Sequence, residues 1–318
     1  MSVSATRDGS APGEREVIFS VLLMAATATV LQPSMDTIMK YVGGQIPALQ
    51  VAWARVFFQM VFTLPIVLVR HGAGGLLPRP LGLQIWRGLF LSGTIVAFTF
   101  AIVLMPLADA IALVFIAPLV VTALSAIVLG EVVGARRWAA VVIGLVGALI
   151  IIRPGSGLFG LAAVLPLIAA LSYACYLIVT RRLTNVSAPM STHFFTALVG
   201  TIALGIPLTV GLAVDLPVVT PAAPSAVQWG LLAIVGVISS ASHLVIIYAY
   251  GRAPVSVLAP LTYLEIVGAT FFGYLVFGDF PDPWTLVGVA IIVASGVYVV
   301  LRGRRLEAPA VNAVDGTR

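Results

Sequence analysis

Apolar runs, each closed by glycine, proline or a charged residue, follow one another along nearly the whole chain. About 20 apolar residues in a helix cross the hydrocarbon of a bilayer. Ten runs meet that length, predicting helices at roughly 17–40, 47–69, 84–105, 107–130, 138–153, 158–180, 191–213, 226–250, 254–277 and 284–302. Continuous apolar stretches such as Ile111 to Leu129 argue for helices, because a membrane β-barrel needs short alternating strands. The expected class is an all-α integral membrane protein.

The polar punctuation repeats. Leu129-Gly130-Glu131 returns as Phe277-Gly278-Asp279, and the same shift of 148 positions lays Pro106 on Pro254. One inserted residue later, Gly147 falls on Gly296 and Arg153 on Arg302. The charges after the two motifs differ: Glu131 is followed by Arg136 and Arg137, whereas Asp279 is followed by Pro281, Asp282 and Pro283. Cations favour the cytoplasmic side, so equivalent ends are expected to face opposite sides of the membrane. The ten transmembrane helices then read as two inverted five-helix repeats, 17–155 and 156–303, flanked by a disordered cytoplasmic stretch at 1–16 and a cytoplasmic tail at 304–318. Inverted repeats are the usual architecture of secondary transporters, since exchanging conformations between halves moves the opening from one side to the other.

Charge sharpens the topology. Only 9% of residues are charged and 60% are hydrophobic, far from a soluble domain. With both termini inside, cytoplasmic segments hold 14 of the 17 cations, Arg87 among them, while only Lys40 and Arg153 lie outside and Arg55 sits within a span. The net charge of +5 is therefore orientation rather than a nucleic-acid surface, and no nucleic-acid partner is expected. Cys175 is the single cysteine, so no internal disulfide forms. Arg15, the apolar Val17 to Ala25 and Ala26-Thr27-Ala28 resemble a signal peptide, but the apolar stretch runs on and cleavage would spoil the repeat.

Ionisable groups in hydrocarbon are costly and need a cavity or a partner. Asp36, Arg55 and Glu265 are the three to explain. Asp36 and Arg55 lie at similar depth on the outer half of the first two spans and can pair, as a structural clamp or as a charge site. Glu265, near the middle of the ninth span with no cation at an obvious matching depth, is the best single candidate for a proton or a cationic substrate group. His243, among Ser239, Ser240 and Ser242, suits an interhelical hydrogen bond or a proton partner. Asp109 reads as a helix cap. Glu131 and Asp279 read as structural helix ends.

Trp86, Trp138, Trp229 and Trp284 fall at span ends as an interfacial belt. Trp53, Phe57, Phe98, Tyr173, Tyr176, Tyr248 and Tyr263 lie deeper, and Trp53, Tyr173, Tyr176 and Tyr263 join Asp36, Arg55, His243 and Glu265 as the candidate substrate pathway. Small residues at Gly93-Ala97-Ala101 and Ala140-Gly144-Ala148 allow close helix packing, the second set within the chain or in a homodimer. Pro118 and Pro260 interrupt the fourth and ninth spans. Ala117-Pro118-Leu119 and Ala259-Pro260-Leu261 stand six residues out of repeat register and do not count as a repeat match.

Several pieces together resemble EamA-type carriers of the drug/metabolite transporter superfamily: Asp36-Thr37-Ile38-Met39-Lys40, Arg55, Leu129-Gly130-Glu131-Val132-Val133-Gly134 with Arg136-Arg137-Trp138, Gly144 to Gly147, Arg153-Pro154-Gly155, and Tyr248-Ala249-Tyr250 before Ala253-Pro254. The resemblance implies ten helices in two inverted repeats, a central cavity built from the first four helices of each, and peripheral fifth and tenth helices. It also implies a carrier of a small organic solute through the inner membrane, without ATP. The pattern looks closest to branches with riboflavin and S-adenosylmethionine carriers, which sets riboflavin first as substrate and S-adenosylmethionine or another metabolite as the alternative. Asp279 stands where the second repeat commonly has Glu.

An ATP-driven pump is disfavoured because no phosphate-binding Gly-x-x-x-x-Gly-Lys segment exists, and neither a cofactor nor a metal is expected. Ser239 and His243, one turn apart, superficially suggest an intramembrane nucleophile and base, but no supporting acid is recognisable. A receptor or scaffold would need a long soluble loop to meet a partner. The expected partners are the bilayer and a small-molecule substrate.

Overall fold

The computed structural model describes residues 14–128, 130, 133–153, 160–183, 186–214 and 220–303. The readings of Glu131, Pro154-Gly155, the first 13 residues and the tail from 304 lie outside them. The described parts form helices α1 (Glu14–Gly43), α2 (Ala48–His71), α3 (Leu81–Leu104), α4 (Leu107–Val128), α5 (Ala135–Ile152), α6 (Gly160–Leu183), α7 (Pro189–Val214), α8 (Ala226–Tyr250), α9 (Ala259–Phe277) and α10 (Pro283–Gly303). Nine have the length and apolarity to cross a bilayer, and α10 adds a shorter apolar stretch. Each matches a run predicted from the sequence. At the amino end the helix already includes Glu14 to Glu16, which the sequence assigned to a disordered stretch. It then runs on through the signal-peptide-like segment to Gly43.

Three helices are broken inside the apolar layer. Helix α4 ends its first segment at Val114 and restarts at Ala117, just before Pro118. Helix α9 opens with a tight turn over Ala259–Tyr263, with Pro260 at its start, and becomes a regular α-helix only at Leu264. In α1 a π-helical turn over Thr27–Leu31 precedes Pro33. Proline removes a backbone donor and crowds the preceding turn, so helix continuity fails near each of these residues. Ala117-Pro118-Leu119 and Ala259-Pro260-Leu261, out of sequence register, each lie beside the irregular segment of their helix.

The motif that announced the repeat has a backbone cause. Gly130 (φ 67°) and Gly278 (φ 74°) both adopt left-handed backbone where α4 and α9 stop. Gly278 caps α9, its N–H bonding to Tyr274 O, and Asp279 N–H reaches Gly273 O. A Cβ in this conformation is strained, which accounts for glycine.

Packing between helices also recurs. Helix α3 lies on α6 and α7, while α8 lies on α1 and α2. Helix α4 meets α6 as α9 meets α1, and the pairs α2 with α7, α4 with α9 and α5 with α10 map onto themselves. Exchanging the first five helices for the last five maps these pairs onto one another, whereas α2 against α3 and α4 against α10 pack without an equivalent of similar extent.

The small-residue stripes do their work inside the chain. Gly147 on α5 lies against Ile291 and the Gly288 carbonyl of α10, and Gly288 in turn faces Ile151 and the Gly147 carbonyl. Gly144 meets Leu119 and Ser295. A side chain at either 147 or 288 would push the two helices apart. The opposite face of α5, with Val142, Ile143, Leu145, Val146 and Leu149 exposed, is wholly apolar, as a lipid-facing surface must be. Trp86, Trp138, Trp229 and Trp284 are exposed near helix ends, where an interfacial belt would sit.

Candidate functional site

Three ionisable side chains from both halves meet in the interior. Asp36 on α1 is 2% exposed, and Arg55 on α2 lies within electrostatic range of both Asp36 and Glu265 on α9. The break in α9 decides where Glu265 sits: it falls in the first turn of the regular helix that begins at Leu264. The direct ion pair expected between Asp36 and Arg55 does not form. Arg55 Nη1 instead approaches Met39 Sδ at 3.9 Å, and among the described residues Asp36 Oδ1 and Arg55 Nε have no hydrogen-bond partner. Equal depth had suggested a pair, but contact also needs the two side chains to point at one another around their helix axes. A buried charge without a contact partner is costly, so this trio is unfinished as it stands.

A second polar centre, unforeseen from the sequence, surrounds Arg87 of α3. Assigned from the sequence to the cytoplasmic charges, Arg87 is in fact only 4% exposed. Its Nε donates to Thr180 Oγ1 at 2.8 Å, Nη1 to Thr192 O at 3.3 Å and to Thr196 Oγ1, and Nη2 to the Tyr176 hydroxyl at 2.6 Å. Gln84, one turn earlier, donates to Thr192 Oγ1 at 3.1 Å. The centre joins α3, α6 and α7. Its signal in the sequence was the polar run Ser191, Thr192, His193 and Thr196 at the start of α7, facing an arginine near the start of α3. Moving Arg87 inside leaves the cation asymmetry that set the topology strong.

Tyr173 and Tyr176, both on α6, stack with ring centroids 5.5 Å apart. Tyr173 lies within electrostatic range of both Glu265 and Arg87. His243 stacks on His193 of α7 with centroids 3.5 Å apart and an interplanar angle of 7°. The sequence singled out His243 alone; its partner could be found only once α7 and α8 were placed. Ser239 donates to Gln59 Oε1 at 2.9 Å, so Ser239 and His243 are not assembled as nucleophile and base.

Two aromatic candidates sit elsewhere. Trp53 donates through Nε1 to Thr201 O at 3.1 Å and stacks on Phe57, tying α2 to α7. Tyr263 packs against Phe115, with centroids 4.8 Å apart, and presses its hydroxyl against Gly296 of α10.

The cations assigned to the outside are handled differently. Lys40, at the end of α1, forms a 2.7 Å ion pair with Asp279, donates to Met105 O at 3.1 Å and lies 4.7 Å from the centre of the Phe277 ring. Arg153, in left-handed backbone (φ 46°) where α5 ends, pairs with Asp282. Asp282 also caps α10, accepting from the backbone N–H groups of Trp284 at 2.8 Å and Thr285 at 3.2 Å, with Pro283 in the first helical position. Burial raises the Asp282 carboxyl slightly, but the bonds from Thr285, Trp284 and Arg153 outweigh it and hold the group below the ordinary carboxylate range. Asp109 does not cap its own helix: the N-cap position is Pro106, with no side-chain cap bond, and Asp109 is buried toward Thr285 of α10.

Comparison with known proteins agrees with this picture. The S-adenosylmethionine uptake transporter of Rickettsia felis is 27% identical over 267 residues, covering 83% of this chain and 87% of that protein. The riboflavin transporter of Rhizobium johnstonii is 27% identical over 262 residues, covering 82% and 83%. The pseudopaline exporter CntI of Pseudomonas aeruginosa is 28% identical over 283 residues, covering 88% and 95%. A solved crystal structure at 18% identity superposes with a TM-score of 0.57 over 92% of this chain and 98% of that one, a likeness of fold alone. The profile of the EamA-like transporter family matches residues 19–153 and again residues 160–302, so this multi-pass membrane protein belongs to that family.

Proposed function

We propose that the chain is a secondary carrier of an amphoteric organic cation, S-adenosylmethionine being the leading candidate, which it moves across the inner membrane by alternating access between two inverted five-helix repeats. The observation that carries this reading is the interior trio. Asp36, Arg55 and Glu265 come from both halves, and none of them closes an ion pair within the described residues. In ionised form they sum to one negative charge, which favours a cationic group of the solute beside them. S-adenosylmethionine carries a sulfonium, an ammonium and a carboxylate, whereas riboflavin is uncharged near neutral pH. A cation between the two carboxylates favours their ionised forms. The family resemblance alone put riboflavin first; the charges reverse that order.

The inverted arrangement has its own support. Each half holds five spans, an odd number, so the second half starts on the side opposite the first. The most extensive helix pairs, α3 with α6 and α7 and α8 with α1 and α2, map onto one another when the halves are exchanged. Cations crowd the ends assigned to the cytoplasm, which favours both termini inside.

Uptake of labelled S-adenosylmethionine and riboflavin by proteoliposomes tests the substrate. The expected result is saturable entry of S-adenosylmethionine, competed by unlabelled compound but not by riboflavin. Riboflavin entry without S-adenosylmethionine entry would overturn the charge argument, and entry of neither would count against both substrates.

A further inference from the structure

Arg87 is a buried cation surrounded by neutral groups. Its acceptors are three threonines and a tyrosine, and no acid within the described residues forms an ion pair with it. A guanidinium has five N–H donors in a rigid fork. Four are used here: one on Nε, two on Nη1 and one on Nη2. The second N–H of Nη2 has no acceptor among the described residues. Tyr176 accepts from Nη2 through its hydroxyl oxygen, so its own O–H remains available to donate beside the same nitrogen. The stack with Tyr173 holds the Tyr176 ring in place.

Two unspent donors of adjacent groups, one on a cation whose charge nothing nearby compensates, form a receptor for an anion. The flanking groups fit. Arg87 lies 4.5 Å from the centre of the Tyr176 ring, Gln84 and three threonine side chains supply neutral polarity, and the stacked His193 and His243 bring no negative charge. Tyr173 senses both Arg87 and Glu265, which puts this receptor and the acidic trio on one electrostatic path.

We infer that Arg87, with the Tyr176 hydroxyl, receives the carboxylate of the transported solute while the Asp36 and Glu265 side hold its cationic groups. This rests on the carrier reading above and adds which chemical group is read and where. The neutral ring around Arg87 suits an anion receptor, because an acid there would close the site permanently, whereas hydroxyls hold the fork in position and leave its charge for the ligand.

Uptake of S-adenosylmethionine and of its decarboxylated analogue, in wild type and in Arg87→Gln, tests the assignment. Wild type should prefer the carboxylate compound by about tenfold, the worth of one charge-assisted contact. Arg87→Gln should lose that preference by lowering entry of S-adenosylmethionine while leaving the analogue within about twofold. Equal losses for both compounds would make Arg87 a helix clamp and overturn the inference while the carrier reading stands. So would equal entry of both compounds in wild type. Entry of neither would overturn the carrier reading and this one together. Should Arg87→Gln fail to fold, Tyr176→Phe keeps the ring and the cation but removes the O–H. A loss of about threefold or more in carboxylate preference is then expected, and an unchanged preference overturns the inference.

Discussion

The ends of α1, α5, α9 and α10 and the middle of the molecule hold the same kinds of charge and treat them in opposite ways. At the helix ends, Lys40 closes on Asp279 and Arg153 on Asp282, with spare donors and acceptors used on a carbonyl and on helix N–H groups. In the interior, Asp36 and Arg87 are buried and Arg55 and Glu265 half-buried, yet none closes an ion pair among the described residues. A chain that can pair its charges at the rim and does not do so inside, where isolation costs more, keeps the interior charges for something else. Closed pairs join the two halves; the open ones are the charges that the carrier reading assigns to the solute.

The contrast between rim and interior would fail most visibly if the trio proved inert. Asp36→Asn combined with Glu265→Gln removes both negative groups with little change of shape, and should cut uptake of the cationic substrate by about a hundredfold or more, from two lost charge-assisted contacts. Detergent-solubilised protein should still unfold in one cooperative transition, at a lower temperature than wild type because Arg55 loses both counter-charges. Retained transport would show that the trio is structural.

Next in size is the Lys40 pair. Lys40→Ala should lower stability by about 1 kcal/mol, since the pair is partly shielded from solvent, and should leave substrate affinity within about threefold. The double exchange Lys40→Asp with Asp279→Lys should recover part of the lost stability, read from thermal unfolding. A loss of binding as large as that of the trio variants would erase the distinction between rim and interior.

The most modest change belongs to Asp282. Its carboxyl is held below the ordinary carboxylate range in the folded protein, so its contribution is present above the unfolded value and is lost as pH falls through the lower, folded value. The stability difference between wild type and Asp282→Asn should therefore be constant above about pH 5 and shrink below about pH 4. Thermal unfolding across that range checks it; a difference that grows on acidification has the wrong sign.

How much of the molecule was readable in advance follows the physics of each feature. Spans were legible because bilayer thickness imposes a length on every apolar run, and the breaks in α4 and α9 because Pro118 and Pro260 announce them. The repeat was legible at Gly130 and Gly278, where a left-handed helix end demands glycine. The site was half legible. Asp36, Arg55 and Glu265 stand out as charges in hydrocarbon, but whether two of them touch depends on rotation about helix axes, which depth along a span does not contain. Arg87 hid among cations that orient helix ends, because this near the start of α3 a sequence cannot distinguish a side chain reaching back to water from one turned toward α6 and α7. His193 gained meaning only from His243, on a neighbouring helix.

The decisive experiment is the thermal protection that S-adenosylmethionine gives to purified wild type, Lys40→Ala and Glu265→Gln, since a ligand bound only to the folded form raises its apparent stability in proportion to its affinity. Saturable protection of wild type and Lys40→Ala is expected, with that of Glu265→Gln shifted to at least about tenfold higher concentration. The same protection curve for all three proteins would refute an interior site kept open for a cationic ligand.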